Sequence, residues 1–110
     1  MKKPNVIFFF TDDQRFDTIR GLNNPHIKTP NLDGLIRRGT AFTNAYIMGG
    51  SSGAVCMPSR SMLHTGRSLY RIRGQGEDID PEHITLGQVL QESGYTCFGT
   101  GKWHNGSASF

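Results

Sequence analysis

A continuous apolar run near the amino terminus constrains the fold more than any other segment of this 110-residue chain. The run extends from Val6 to Phe10, consists of β-branched and aromatic residues, and ends at Thr11. It has no two-residue alternation of apolar and polar side chains, which is typical of a strand covered on both faces in a parallel sheet. We therefore expect residues 6–10 to form a buried strand.

Two segments carry the start and stop residues of short helices. Thr29 can cap the first helix, Pro30 suits its first position, and Gly39 can take the left-handed conformation that ends it. The second helix is predicted to begin at Pro58 and to stop at Gly66. Each helix would follow a segment of strand-like sequence.

A capping box predicts a third helix. Thr85 and Gln88 have the spacing at which each side chain bonds the backbone N–H of the other, and Gly94 supplies the stop. The expected buried stripe of this helix consists of Leu86, Val89 and Leu90. Further strands are expected within residues 40–48 and 95–101. Strands that alternate with helices predict an α/β fold with a parallel sheet, and the length suffices for one small domain.

Charged residues follow the first predicted strand directly. Open parallel sheets bind ligands beyond the carboxyl ends of their strands, which is where Asp12 and Asp13 would lie. Adjacent carboxylates repel each other unless a cation compensates them, and their oxygen atoms suit Ca²⁺ or Mg²⁺. The pair is a candidate metal site, with a solvated turn as the alternative.

A lysine and a histidine follow the last predicted strand. Lys102 and His104 would point the same way in an extended chain, with Trp103 on the opposite side. The lysine can hold a sulfate or phosphate oxygen, and the histidine can move protons near neutral pH. An exposed polar rim is the alternative interpretation of this segment.

The start of the second helix carries a cysteine and an arginine. Cys56 precedes Pro58 at a helix N-terminus, which favours anions, and Arg60 keeps its charge near neutral pH. Taken alone, Cys56 would be a buried residue and Arg60 a partner in a surface ion pair. Cys97 is interpreted as a small buried residue, and His64 is given a structural or surface role.

Composition excludes several classes of function. The formal net charge of +3 comes without a long Lys/Arg block, so no nucleic acid partner is expected. The two cysteines lack paired C-x-x-C spacing, which argues against a zinc site or a disulfide scaffold. No stretch approaches the roughly 20 apolar residues of a membrane span. The five-residue apolar run is shorter than the roughly 7 to 15 residues of a signal peptide, so a cytoplasmic location is expected, with a periplasmic or secreted parent as the alternative.

The segment from Cys56 to Arg67 matches the signature C-x-P-S-R-x-x-L-x-T-G-R at every fixed position. By this signature the chain resembles the type I sulfatases, a formylglycine-dependent family of the alkaline phosphatase-like superfamily. The resemblance continues, in order, through Asn5 to Gln14, Thr29 to Asp33, Phe42 to Tyr46 and Gly101 to His104. It implies the N-terminal part of a parallel or mixed sheet sandwiched by helices. Residues 1–110 would then be a partial catalytic domain, truncated at its C-terminal end.

The resemblance also implies a cofactor set. Asp12, Asp13 and Cys56 would bind a divalent cation, usually Ca²⁺, with Mg²⁺ as an alternative. A formylglycine-generating enzyme would convert Cys56 to formylglycine, whose hydrate would attack the sulfur of a small-molecule or carbohydrate sulfate ester. An oxygen-bearing side chain at this position also suits a hard cation better than a soft thiolate does.

The same resemblance implies roles for three further residues. Arg60 would steady the hydrate, Lys102 would hold sulfate oxygens, and His104 would contact the hydrate and assist the later elimination. Further metal ligands, a second histidine and a second lysine are expected downstream, so the isolated chain is expected to be inactive. The alternatives are a formylglycine-dependent phosphonate monoester or phosphodiester hydrolase, a hydrolase that pairs unmodified Cys56 with His104, and a non-catalytic fragment that binds a metal or a protein.

Overall fold

The structure is a computed structural model that describes residues 2–109. The predicted domain over residues 1–110 includes two end residues, Met1 and Phe110, that lie outside the described ones. The chain divides into two compact units, Met1–Ala45 and Tyr46–Phe110. Each unit has its own helices and its own internal contacts.

Unit 1 contains a 3₁₀ turn, Arg20–Leu22, and helix α1, Pro30–Arg38. The predicted start of α1 at Pro30 is confirmed. Thr29 has a different role from the predicted cap, because its hydroxyl makes no capping bond to α1. Its Oγ1 accepts a hydrogen bond from the Arg20 backbone N–H at 2.9 Å and donates one to Asp33 Oδ1 at 2.8 Å. Thr29 therefore joins the 3₁₀ turn to the first turn of α1.

The prediction that Gly39 ends α1 in a left-handed conformation is wrong. Gly39 has φ −122° and ψ −160°, which is extended backbone. Its N–H nevertheless bonds Leu35 O at 2.8 Å and closes the last turn. Because this bond forms without a positive φ, the chain leaves α1 in an extended direction.

Unit 2 contains helix α2, Cys56–Thr65, then two 3₁₀ turns, Leu69–Arg71 and Arg73–Gly76, and finally helix α3, Leu86–Glu92. Helix α2 begins two residues before the predicted start at Pro58. A proline is tolerated there because the first turn of a helix has N–H groups without intrahelical partners. The predicted stop is confirmed, since Gly66 follows the helix at φ 65° and its N–H bonds Met62 O at 2.9 Å.

The capping box of α3 is confirmed. Gln88 N–H donates to Thr85 Oγ1 at 3.4 Å, and Thr85 N–H donates to Gln88 Oε1 at 2.6 Å. The helix ends at Glu92, and Gly94 follows at φ 81°. The predicted buried stripe is wrong, because Leu86 and Val89 are 41% and 48% exposed. The cap forms from local bonds, whereas burial needs a neighbouring layer that the described chain does not place on this face.

The buried residues of unit 2 include polar as well as apolar side chains. Leu69, Ile72 and Ile79 form the buried apolar core of the described residues. Arg60, Ser61 and Asn105 are buried with 7%, 0% and 0% of their surface exposed. Buried polar groups are stable only where they find hydrogen-bond partners, so the contacts of these three residues matter to both fold and site.

The predicted strands do not form among residues 2–109, so the sheet is not confirmed. In the apolar run, Ile7 is 90% and Phe9 is 82% exposed. The rings of Phe8 and Phe10 lie 5.8 Å apart, as expected for side chains two residues apart in an extended chain. A buried parallel strand needs a backbone partner on each side and a layer on each face, and no described segment supplies these.

The helices within residues 2–109 are all too short or too polar to cross a lipid bilayer.

Candidate active site

The first turn of α2 presents backbone N–H groups at the position of the signature cysteine. Cys56 is the first residue of α2, and the residue before it, Val55, provides no side-chain cap. The first helical bond runs from Ser59 N–H to Val55 O at 3.0 Å. A helix N-terminus of this kind carries partial positive charge and favours anions. The half-buried thiol of Cys56 therefore lies at an electropositive end of the helix.

Arg60 lies one turn further along α2 and is almost completely buried. Its Nη1 donates a hydrogen bond of 2.6 Å to the backbone carbonyl of Lys102. A hydrogen bond from a charged donor contributes about 1.5–3 kcal/mol, more than a neutral one. Arg60 therefore holds the segment that begins at Lys102 against α2, a contact between residues 42 positions apart.

The segment from Lys102 to His104 has a bent backbone. Lys102 and His104 are exposed, while Trp103 is half-buried and its Nε1 donates to Gly106 O at 2.5 Å. His104 has φ 67°, a left-handed conformation that is uncommon outside glycine. The predicted alternation of side chains along an extended strand is therefore wrong at His104. Strained backbone of this kind is found preferentially at functional sites.

His64 contacts the same segment from α2. Its ring lies 4.5 Å from the Trp103 ring, measured between centroids, with 46° between the ring planes. Burial, together with the charge of nearby Arg60, lowers the pKa of His64 below its ordinary value of 6.5. The imidazole is therefore mainly neutral at neutral pH. The structural role predicted for His64 agrees with this packing.

Asn105 is the functional candidate that sequence reasoning missed. Its side chain is fully buried, and its Nδ2 donates to Met57 O at 2.9 Å and to Gly76 O at 2.5 Å. Met57 is the residue after the signature cysteine. The residues Asn105-Gly106-Ser107 match the pattern of a glycosylation acceptor, which is normally found in surface loops, so the sequence gives no signal of a buried role.

Asp12 and Asp13 lie in unit 1, in a bend after the apolar run, and both are exposed. Asp13 has φ 53°, so it shares the left-handed conformation of His104. Two accessible carboxylates on a sharply bent backbone are oxygen donors of the type that Ca²⁺ and Mg²⁺ prefer. The chemistry and exposure of these two residues therefore fit a hard divalent cation.

Within unit 2 the structure thus brings together the signature helix, with Cys56 and Arg60, and the segment that carries Lys102 and His104. The remaining cysteine, Cys97, lies away from α2 in sequence and is half-buried, with its Sγ 3.7 Å from Gly87 O. Neither cysteine is part of a disulfide in the described structure.

Comparison with known proteins identifies the family of this sequence. The Sulfatase family model matches residues 4–109. The chain is 34% identical to an N-acetylgalactosamine-6-O-sulfatase of Bacteroides thetaiotaomicron over 96% of this chain and 21% of that protein. It is 36% identical to mouse arylsulfatase J over 94% of this chain and 18% of that protein. It is 33% identical to human arylsulfatase A over 96% of this chain and 22% of that protein.

The chain spans about a fifth of the length of these curated relatives. No solved structure is significantly similar to it. The family match covers nearly every residue, including Cys56, Arg60, Lys102 and His104. This chain belongs to the sulfatase family, whose members share an alkaline phosphatase-like α/β fold.

Proposed function

We propose that this chain supplies one part of the active site of a sulfuric ester hydrolase. The main support is a pair of long-range hydrogen bonds that hold the Lys102–His104 segment beside the signature helix. Arg60 donates one to Lys102 O, and Asn105 donates the other to Met57 O. The names of the relatives support an aryl or carbohydrate sulfate as the substrate. Residues 1–110 would form the N-terminal part of the catalytic domain.

The cofactors follow from the chemistry of the donor residues. Asp12, Asp13 and the modified side chain of Cys56 would hold Ca²⁺ or Mg²⁺, which would supply positive charge for sulfate oxygens. A formylglycine-generating enzyme is the partner that would modify Cys56. The hydrate of formylglycine, formed by addition of water to the aldehyde, would supply one hydroxyl to displace the alcohol from sulfur. Deprotonation of its second hydroxyl would then release the sulfate and restore the aldehyde. A serine or an unmodified cysteine has no such second hydroxyl.

Three further side chains, those of Arg60, Lys102 and His104, account for the remaining roles. Arg60 is buried at the start of α2, so its charge acts in a poorly solvated environment and stabilises negative charge at the Cys56 position. Lys102 is exposed and can bind a sulfate oxygen, while its backbone is fixed by Arg60. His104 is exposed next to it and can accept the proton that is released during elimination.

The 110 residues alone are proposed to be insufficient for turnover. Ile7, Phe9 and Phe98 are more than four-fifths exposed, which leaves large apolar surface without a covering layer. Assays therefore require the full-length protein. A purified 110-residue chain that melts cooperatively and hydrolyses an aryl sulfate would contradict this part of the proposal.

Two cysteine variants test the proposed function. The full-length protein is produced with a formylglycine-generating enzyme, as wild type, Cys56→Ser and Cys97→Ser. Mass spectrometry of the Cys56 peptide should show formylglycine, and aryl sulfate should be hydrolysed faster than an aryl phosphate or a phosphonate monoester. Cys56→Ser should lose about 10³-fold or more in kcat, because a serine has no second hydroxyl through which a covalently bound sulfate could be released. Cys97→Ser should stay within about twofold, because its sulfur makes one weak contact.

Three outcomes would contradict the proposal. An intact, alkylatable Cys56 thiol in the wild type would exclude the formylglycine mechanism. Faster hydrolysis of the phosphonate or phosphate ester would favour the related hydrolase. Modification of Cys56 without turnover of any ester would favour a non-catalytic role.

A further inference from the structure

The side chain of Asn105 lies between two parts of unit 2 that are far apart in sequence. Its Nδ2 donates to Met57 O in the first turn of α2, and also to Gly76 O at the end of a 3₁₀ turn. Its own backbone carbonyl accepts a bond from Ile79 N–H at 3.2 Å. Asn105 is thus fully buried and bonded to three separate positions.

These bonds specify an amide at position 105. Both partners of the side chain are carbonyl oxygens, so only a group with two N–H donors satisfies them together. An aspartate has the same shape but would place acceptor oxygens against two other acceptors. An alanine would leave the carbonyls of Met57 and Gly76 without this donor. Hydrogen bonding therefore accounts for the NH2 group of the side chain, whereas Oδ1 is buried without a hydrogen-bond partner among the described residues.

Asn105 directly follows His104, the second proposed site residue of its segment. The segment is fixed at both ends, because Arg60 bonds Lys102 O at one end and Asn105 bonds Met57 O at the other. Between these bonds the side chains of Lys102 and His104 stay exposed. The backbone of this segment is therefore held, although both of these residues lie at the surface.

We propose that Asn105 is a positioning residue of the sulfatase site, fixing Lys102 and His104 relative to Cys56 through its bond to Met57 O. The expected effect on turnover rests on the proposed function. A displacement of about 1 Å in a catalytic group can reduce the rate about 10²-fold, so loss of this bond should lower kcat by that order. Because its side chain is buried, Asn105 has a structural role, although it lies in the pattern of a glycosylation acceptor.

The test compares full-length wild type with Asn105→Asp, Asn105→Ala and a matched control, Asn24→Ala. Asn24 also donates its Nδ2 to a backbone carbonyl, that of Asp17, but it lies in unit 1. Turnover of an aryl sulfate is measured per formylglycine, quantified by mass spectrometry, at a temperature well below the melting transition of each variant. Normalised in this way, kcat does not fall merely because less protein is folded or modified.

Both Asn105 variants should lose about 10²-fold in kcat per formylglycine, with the larger part of the loss in kcat rather than KM. The control should stay within about twofold of wild type, because the two bonds that it removes, to Asp17 O and from His26 N–H, lie outside this segment. If Asn105→Asp does not fold, Asn105→Ala carries the test, since it introduces no charge. A folded, modified Asn105→Ala with the kcat of the wild type would overturn the proposal.

Crystal structures of the wild type and Asn105→Ala judge the positioning role independently of turnover. The segment 102–105 should shift relative to α2 in the variant. If the segment does not shift, the positioning role is wrong, even if the wild-type protein hydrolyses sulfate esters. A shifted segment in a protein that hydrolyses no sulfate ester would support the positioning role and contradict the proposed function instead.

Discussion

Replacing Gly76 by alanine is expected to disrupt the contact between the second 3₁₀ turn of unit 2 and helix α2. Gly76 is buried and has φ 81°, a conformation that side chains rarely adopt. A Cβ built at this position would lie 2.5 Å from Ser61 Cβ and 2.8 Å from Ser61 Oγ. Ser61 is itself fully buried, so it has no room to move away.

The expected cost has two parts. A left-handed conformation costs an alanine about 1–2 kcal/mol. Overpacking against Ser61 adds about 1–3 kcal/mol, which gives about 2–5 kcal/mol in total. Gly74 provides the matched control in the same turn, because its φ is 58° and a Cβ there would meet nothing within 4 Å. Gly74→Ala should therefore show only the conformational part, about 1–2 kcal/mol.

Hydrogen exchange of the full-length protein, read by mass spectrometry on peptides that cover residues 56–79, measures the local opening free energy. A second pair of variants, Ser61→Gly alone and with Gly76→Ala, removes the atoms that the new Cβ would meet. The double-mutant cycle should give a coupling free energy of about 1–3 kcal/mol, because Gly76→Ala should destabilise the protein less when Ser61→Gly is also present. Equal destabilisation by Gly76→Ala and Gly74→Ala, or a coupling near zero, would refute the packing argument.

Two further variants test local features of unit 2. Burial and the charge of Arg60 lower the pKa of His64 in the folded chain. The unfolded chain therefore binds more protons than the folded one as the pH falls below 6.5, and the free energy of unfolding should decrease as the pH is lowered. His64→Phe should reduce this loss in melting curves between about pH 8 and 5, whereas His26→Phe, at an exposed position, should not. Thr85→Ala should destabilise α3 by about 1 kcal/mol through loss of the capping box, seen as faster exchange of the α3 amides, with Thr96→Ala as an exposed control.

Local features of the chain were predictable from the sequence. The capping box at Thr85, the start of α1 at Pro30 and the stop of α2 at Gly66 all depend on bonds within a few residues. Such bonds depend little on tertiary context, so residue identity favours them, although the predicted cap at Thr29 and the left-handed Gly39 did not form. The signature at Cys56 likewise identified the sulfatase family, which the match over residues 4–109 confirms.

Burial was not predictable in the same way. Val6 to Phe10 and the apolar side of α3 were expected to be covered, yet they are exposed in the described chain. A hydrophobic pattern shows which side chains would gain from burial, but it does not supply the layer that covers them. For the same reason the sheet stays a prediction.

The sequence by itself determined the family, because the sulfatase signature is encoded within twelve consecutive positions, and it predicted site residues from the same positions. Only the tertiary structure decided how the Lys102–His104 segment is held and that Asn105 holds it. Asn105 and Met57 are 48 residues apart, and Arg60 and Lys102 are 42 apart. Contacts over such distances depend on the folding of everything between them, which no local pattern describes.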